Sequence, residues 1–223
     1  MSDTKTRLRQ IITRLRKEYP DADCLLQFET PLELLVASIL AAQCTDERVN
    51  QTTPALFRKY RTAASYAEAP QQDIIDAVAS ISFCVKKARA IQAVCRALID
   101  RHGGELPADV DQLSALPGVG RKTANVVLGN AMGVPSIIVD THVLRLSGRL
   151  GLASQRNVDK KYADKVEAEL LEIVPSKDRT LFSHLLACHG RTVCTARKPL
   201  CPRCVIEPLC PYPDKTPAEL LDK

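Results

Sequence analysis

With 223 residues and 45% hydrophobic content the chain can bury a core as one domain or two small ones, while a 4% aromatic share without tryptophan argues against a binder that stacks successive bases on aromatic platforms. A net charge of +5 and a pI near 8.7 suit a polyanionic partner, because lysine and arginine replace counterions condensed on phosphates, but they specify nothing further. No apolar run follows MSDTKTRLRQ and no stretch approaches the ~18 to 20 apolar residues of a membrane span, so a cytosolic chain is expected, with its cysteines serving as thiols or metal ligands rather than as a disulfide framework.

Along the chain, apolar residues recur at helical spacing and strand-like alternation is nearly absent. Leu32, Leu35, Val36, Ile39 and Leu40 form one stripe, opened by Thr30-Pro31-Leu32-Glu33 with an N-cap, a first-turn proline and a capping-box glutamate. Thr53-Pro54 repeats the first two signals and predicts another helix start, and 73–81 reads as helical. Ile91, Val94, Cys95, Leu98 and Ile99 mark a helix that runs through Asp100 and stops at His102-Gly103-Gly104. Residues 109–132 read as a helix, the tight loop Pro117-Gly118-Val119-Gly120, and a second helix from near Arg121 to Gly133-Val134-Pro135. Further helices are expected at 140–149, 157–173 and 177–188, so the fold class is all-α, with about ten helices and no internal repeat. Periodicity then gives way to RTVCTARKPLCPRCVIEPLCPYP, and DKTPAELLDK reads as a frayed tail.

In that segment Cys194, Cys201, Cys204 and Cys210 follow the pattern C-x6-C-x2-C-x5-C. Four soft thiolates suit either zinc or an iron-sulfur cluster; zinc sites usually use two separated pairs around one ion, whereas one compact run can wrap a larger cluster, which favours iron-sulfur and leaves zinc open. Cys24, Cys44, Cys84, Cys95 and Cys188 are expected to be ordinary core residues. Arg191, Arg197 and Lys198 flank the first ligands, either as phosphate contacts or as a solvated charge run.

The segment around Gly118, Val119 and Gly120 is a helix-hairpin-helix, in which glycines admit close approach of a phosphate and the free N–H groups at the second helix's N-terminus, near Arg121 and Thr123, bind it without reading sequence. Lys122 lies in that helix's first turn, where the dipole, Arg121 and any partial burial disfavour its charged form; a lysine of that kind can attack an electrophilic sugar carbon, although a phosphate contact is the commoner role. Asp140 opens the next helix in Val139-Asp140-Thr141-His142, where N–H groups hold a carboxylate ionised, either for chemistry or as a plain N-cap.

Taken together, LPGVGRKTANVVL, VDTHVLRLSGRLGL and HGRTVCTARKPLCPRCVIEPLC resemble the helix-hairpin-helix glycosylase superfamily, and within it the endonuclease III family, over about residues 8 to 212. The resemblance implies two helical domains flanking a DNA-binding cleft: a six-helix domain at 24–134, and an iron-sulfur domain made of 1–23 plus 135–213, followed by a flexible tail at 214–223. It implies a 4Fe-4S cluster on Cys194, Cys201, Cys204 and Cys210. Lys122 matches the family nucleophile that attacks C1′ of a flipped damaged nucleotide, and Asp140 the aspartate that assists base loss and proton transfers. The implied activity is that of a bifunctional DNA glycosylase and abasic-site lyase, which displaces an oxidised pyrimidine, forms a Schiff base and cuts 3′ to the lesion by β-elimination. Its implied partner is double-stranded DNA carrying a damaged base or abasic site, bound by a nucleoid-associated monomer.

Gln43 in LAAQCTD matches the family residue that fills the gap left by the extruded base, with a buried helix-capping amide as the plainer role. The second wedge loop, commonly a glycine, a large apolar residue and later K-A, is here Ser82-Phe83-Cys84-Val85-Lys86-Lys87-Ala88. That departure puts lesion range and turnover in question and keeps open a weakly active or non-catalytic lesion-binding paralogue. His142 matches the family segment VDTH, with helix packing or a phosphate contact favoured over acid-base chemistry.

Overall fold

The computed structural model describes residues 2 to 218, and all of its regular structure is helical: twelve α-helices and three 3-10 turns, with no strand among the described residues. The first helix, α1 (Ser2–Glu18), belongs with the chain beyond Pro135, while Cys24–Val134 forms a compact unit of its own.

In the Cys24–Val134 unit, α2 (Pro31–Ala41) starts at the expected N-cap, where Thr30 Oγ1 accepts from Glu33 N at 3.2 Å, but the Glu33 carboxylate passes over the Thr30 amide of a capping box and accepts from Glu29 N at 2.6 Å. The next helix begins elsewhere than the sequence predicts. α3 (Asp46–Lys59) starts at N-cap Thr45, whose Oγ1 accepts from Arg48 N, with Asp46 and Glu47 in the first turn; Thr53 is buried and Pro54 sits inside the helix. An interior proline removes one backbone bond at a cost of about 3 kcal/mol, which burial of Val49, Thr53 and Leu56 offsets.

α4 (Ala63–Glu68) carries a reciprocal Thr62–Ser65 capping box, and α5 (Gln71–Ala77) ends four residues before the expected position. α6 (Cys84–His102) runs to His102 before Gly103 stops it at φ 63°. α7 (Val110–Ser114) is a single turn capped by Asp109, and α8 (Arg121–Ala131) follows the glycine loop. α2 packs on α3, α6 and α8, α4 packs on α6, and the core includes Leu34, Leu35, Tyr66, Ile91, Leu98, Leu113 and Val127.

In the other unit, α9 (Thr141–Arg149), α11 (Ala163–Ile173) and α12 (Arg179–Thr192) pack with α1 around Leu8, Ile11, Leu15, Leu146, Leu170, Phe182 and Leu185. The single helix expected at 157–173 is divided. α10 (Gln155–Asp159) stops, Lys161 turns at φ 55°, and Tyr162 N donates to Asn157 O. Glu169 of α11 holds the corner by accepting from Ser154 N and Asn157 Nδ2, both at 2.8 Å. Residues beyond α12 form two 3-10 turns, Cys201–Arg203 and Glu207–Leu209. The segment read as a frayed tail is anchored near its start, since Lys215 Nζ donates to Glu207 O and pairs with the Glu207 carboxylate; residues 219–223 lie outside the described residues. No described helix is long and apolar enough to cross a membrane.

Candidate functional site

Five of the predicted DNA-contacting residues lie together where α7 meets α8. Gly118 has φ 78°, a left-handed conformation that glycine adopts freely. Gly120 is the N-cap of α8 and supplies no side-chain cap, so no side chain of the helix start covers the first-turn amides. Val119 is buried, and its N–H donates to Leu116 O at 3.1 Å, so it anchors the loop in the core rather than facing a ligand. Arg121 is exposed and pairs with Asp111 at 3.1 Å, and Thr123 is half-buried. Lys122 is exposed, so burial of the ammonium, one of the influences raised from the sequence, is not part of its setting. The surface of this turn combines open amides, one ion-paired guanidinium and one lysine, a set suited to an anion with a nucleophilic amine beside it.

The same unit carries two non-glycine residues in the left-handed region at loop tips, Gln43 at φ 54° and Phe83 at φ 59°. L residues incur roughly 1–2 kcal/mol there, so each is held by its surroundings. Gln43 is exposed, which excludes the buried capping amide as its role, and Phe83 is 64% exposed. Their support includes a residue that the sequence reading passed over. Lys87 is 6% exposed; its N–H donates to Phe83 O at 3.0 Å and its Nζ to Leu40 O at 2.8 Å, close to where α2 leads into the Gln43 loop. Burial pushes the Lys87 ammonium below its ordinary value. The only hint in the sequence was its place in the K-A pair after Phe83.

In the other unit Asp140 is the N-cap of α9, and its Oδ1 accepts from His142 N at 2.8 Å and Val143 N at 2.7 Å. His142 is half-buried against Gly190 of α12, where an added Cβ would come within 2.8 Å of its own Cβ. The ring is therefore packed against α12. Farther along α9, Arg145 and Arg149 repeat at i and i+4 and face the cysteine segment. Arg145 donates to Gly190 O at 2.9 Å, to Cys194 O from Nε at 3.2 Å and Nη2 at 2.9 Å, and lies 3.2 Å from His142 Nδ1. Arg149 donates to Thr195 O at 2.8 Å, Ala196 O at 2.9 Å and Cys194 Sγ at 3.2 Å, with its guanidinium over the Tyr212 ring. Neither arginine was singled out from the sequence, although their helical spacing right after VDTH was a legible signal.

Cys194, Cys201, Cys204 and Cys210 line one cavity together with Arg149, Val193, Pro199 and Tyr212. They surround a space rather than meeting at a point: among the described residues no three His, Cys, Asp or Glu side chains converge on a single ion. Four soft donors around such a space fit a thiolate-held cluster. Burial pushes the Cys204 thiol up to about 11. His189 Nε2 lies 3.2 Å from Cys204 Sγ, and Arg7 of α1 donates to both Leu150 O and Leu209 O, joining the end of α9 to the end of the cysteine segment. Arg191, Arg197 and Lys198 are exposed, and Thr195 Oγ1 donates to Lys198 O at 2.6 Å, which staples their loop. None of the nine cysteines is in a disulfide; of the five outside the cavity Cys95 is fully buried in the core, Cys24, Cys44 and Cys84 are partly buried and pack against it as expected, and Cys188 is partly exposed.

The chain is 46% identical to endonuclease III of Synechocystis over 95% of its own length and 94% of the relative's, and 43% identical to endonuclease III of Escherichia coli K12 over 95% and 98%. Among solved structures, a trapped endonuclease III–DNA covalent intermediate matches with a TM-score of 0.83 at 43% identity, over 93% of this chain and 96% of that one. Residues 36–176 match the model of the HhH-GPD superfamily of base excision DNA repair proteins. With the hairpin, the α9 cap and the four-cysteine cavity in place, the chain belongs to that superfamily and, within it, to the endonuclease III family.

Proposed function

We propose that the chain is a bifunctional DNA glycosylase and abasic-site lyase that removes oxidised pyrimidines of the thymine glycol type from duplex DNA, with Lys122 as its nucleophile. The observation that carries this reading is the setting of Lys122, exposed in the first turn of α8 just past an N-cap that leaves the helix amides uncovered. Those amides, with Gly118, Arg121 and Thr123, hold a backbone phosphate and so bring the adjoining sugar to the amine. Lys122 Nζ forms a bond to C1′ as the bond to the base breaks. The C1′–O4′ bond then opens, O4′ takes up a proton, and the resulting protonated imine makes the C2′ proton acidic, so that its loss expels the 3′ phosphate. Asp140 assists departure of the base and carries protons through these steps, its orientation set by two backbone amides.

Oxidised pyrimidines have lost aromatic stacking, so extruding them costs less than extruding an intact base. Gln43 and Phe83, both exposed at loop tips, occupy the space a flipped nucleotide leaves. In this reading Cys24–Val134 is the hairpin domain and the chain on either side of it is the iron-sulfur domain. Cys194, Cys201, Cys204 and Cys210 hold a 4Fe-4S cluster, which when bound supplies order to the loop that presents Arg197 and Lys198 to phosphate, near Arg191.

The test is borohydride trapping on duplex DNA with one thymine glycol. Wild-type protein is expected to give a covalent adduct, and Lys122→Ala none while still binding the duplex. No adduct from cluster-loaded wild-type protein that binds tightly would make this a lesion-recognition protein without catalysis.

A further inference from the structure

Behind the cysteine cavity lies a hydrogen-bonded file that the reaction above does not use. His189 of α12 is 1% exposed, and its two ring nitrogens face different partners: Nε2 lies 3.2 Å from Cys204 Sγ, and Nδ1 lies 3.0 Å from the hydroxyl of Tyr19, just after α1. The Tyr19 hydroxyl is also 2.9 Å from Thr192 Oγ1, and Thr192 Oγ1 is 3.0 Å from Cys188 O. The two rings meet edge-on, with centroids 5.9 Å apart.

Each hydroxyl has one hydrogen, and a neutral imidazole has one N–H, so the file can be wired in two directions. In one, Nδ1–H donates to Tyr19, Tyr19 to Thr192, and Thr192 to Cys188 O, leaving an Nε2 lone pair pointed at Cys204. A thiol can satisfy that lone pair by donating its own S–H. A metal-bound sulfur has no hydrogen, and two lone pairs would then face each other. In the other direction Thr192 donates to Tyr19, Tyr19 donates to Nδ1, and Nε2–H donates to Cys204 Sγ, so that only the contact between Thr192 Oγ1 and Cys188 O lacks a hydrogen. Only this second wiring gives the Cys204 sulfur a hydrogen when Cys204 is a ligand, and the one contact it gives up is to a carbonyl that lies within α12.

On this basis we propose that His189 is an N–H donor to the Cys204 sulfur, and that Tyr19 is the positioning residue that holds it in the donating tautomer. The proposal rests on the reading of the four cysteines as cluster ligands. A donor to a ligand sulfur stabilises the more electron-rich state of the cluster, so the pair raises its reduction potential. Arg149 does the same for Cys194 from α9, but with a cation; His189 supplies a neutral donor whose direction depends on Tyr19.

The experiment compares wild-type, His189→Phe and Tyr19→Phe proteins, each carrying stoichiometric iron and sulfide, by midpoint potential. It adds pulsed EPR of the paramagnetic cluster in protein labelled with ¹⁵N-histidine. His189→Phe is expected to lower the potential and abolish one ring-nitrogen coupling; Tyr19→Phe is expected to lower the potential by a smaller amount and weaken the coupling. Unchanged potentials in the loaded variants, or no histidine coupling in the wild type, would overturn the proposal. If His189→Phe does not load, Tyr19→Phe and the wild-type coupling decide it. Purified protein without iron and sulfide would instead defeat the cluster reading itself.

Discussion

Helices α8 and α9 begin in opposite ways. α8 starts at a glycine that offers no side-chain cap, whereas α9 starts at an aspartate whose Oδ1 accepts two of the helix's own amides. An open start leaves donors for an outside anion; a closed one spends them on orienting a carboxylate. The contrast continues beyond the first turns. Around α8 the loop is shaped by glycine and anchored by one buried valine, while α9 is gripped along its length through Arg145 and Arg149. A contact that must accept any phosphate sequence needs exposed backbone, and a group that must hold one direction needs a closed network.

Asp140→Asn separates the two duties of the closed start. Asparagine caps as well as aspartate, so thermal stability should stay within a few tenths of a kcal/mol, while base release falls on the order of 10²-fold in single-turnover assays. Loss of folding along with activity would mean that the cap is the residue's whole role. Arg149→Ala should come next in size. It leaves two carbonyl oxygens and one sulfur without their donor, for an expected loss of about 2–3 kcal/mol in unfolding free energy and faster bleaching of cluster absorbance under a chelator.

Gly120→Ser tests the open start. An added Cβ there meets nothing within 4 Å, and serine is a slightly better cap than glycine, so stability should rise by a few tenths of a kcal/mol. DNA affinity should fall at the same time, because the new hydroxyl competes with phosphate for the same amides; unchanged affinity in a fluorescence titration would show that the open start is not used. The smallest effect concerns pH. Burial, the largest influence on His184, pushes its imidazolium below the ordinary value of 6.5, with Asp23 and Asp140 opposing and Arg191 reinforcing. As pH falls below 6.5 the unfolded chain takes up this proton before the folded one, so this contribution is full above 6.5 and declines below it. Urea midpoints of His184→Gln protein should therefore fall less steeply with acid than those of wild type.

What was legible in the sequence was what depends on local pattern. The Thr30 cap, the Gly103 stop and the Asp140 cap are short-range bonds between neighbours in the chain, and all three are present. Thr53-Pro54 misled because the same pair that can open a helix also sits inside one, once Thr45 has already supplied the cap and Thr53 faces the core. The break at Lys161 could not be read from periodicity, since Glu169, which holds it, lies well inside the next helix. The cysteine spacing was plain, but the groups that hold the cavity, Arg7, Arg145, Arg149 and His189, reach it only through tertiary packing. Lys87 was hidden for a different reason: a lysine reads as surface until a carbonyl such as that of Leu40 is seen to be waiting for it.

The discontinuous unit also has a consequence for biosynthesis. α1 is made before α11 and α12, yet its apolar residues Leu8, Ile11 and Leu15 pack with those helices. At ribosomal rates of ~5–20 residues per second, those partners emerge roughly 10–30 s later, while Cys24–Val134 can already close on its own core. For that interval the nascent chain carries a finished unit behind an unsatisfied amphipathic helix, which makes α1 the segment on which a ribosome-associated chaperone would act.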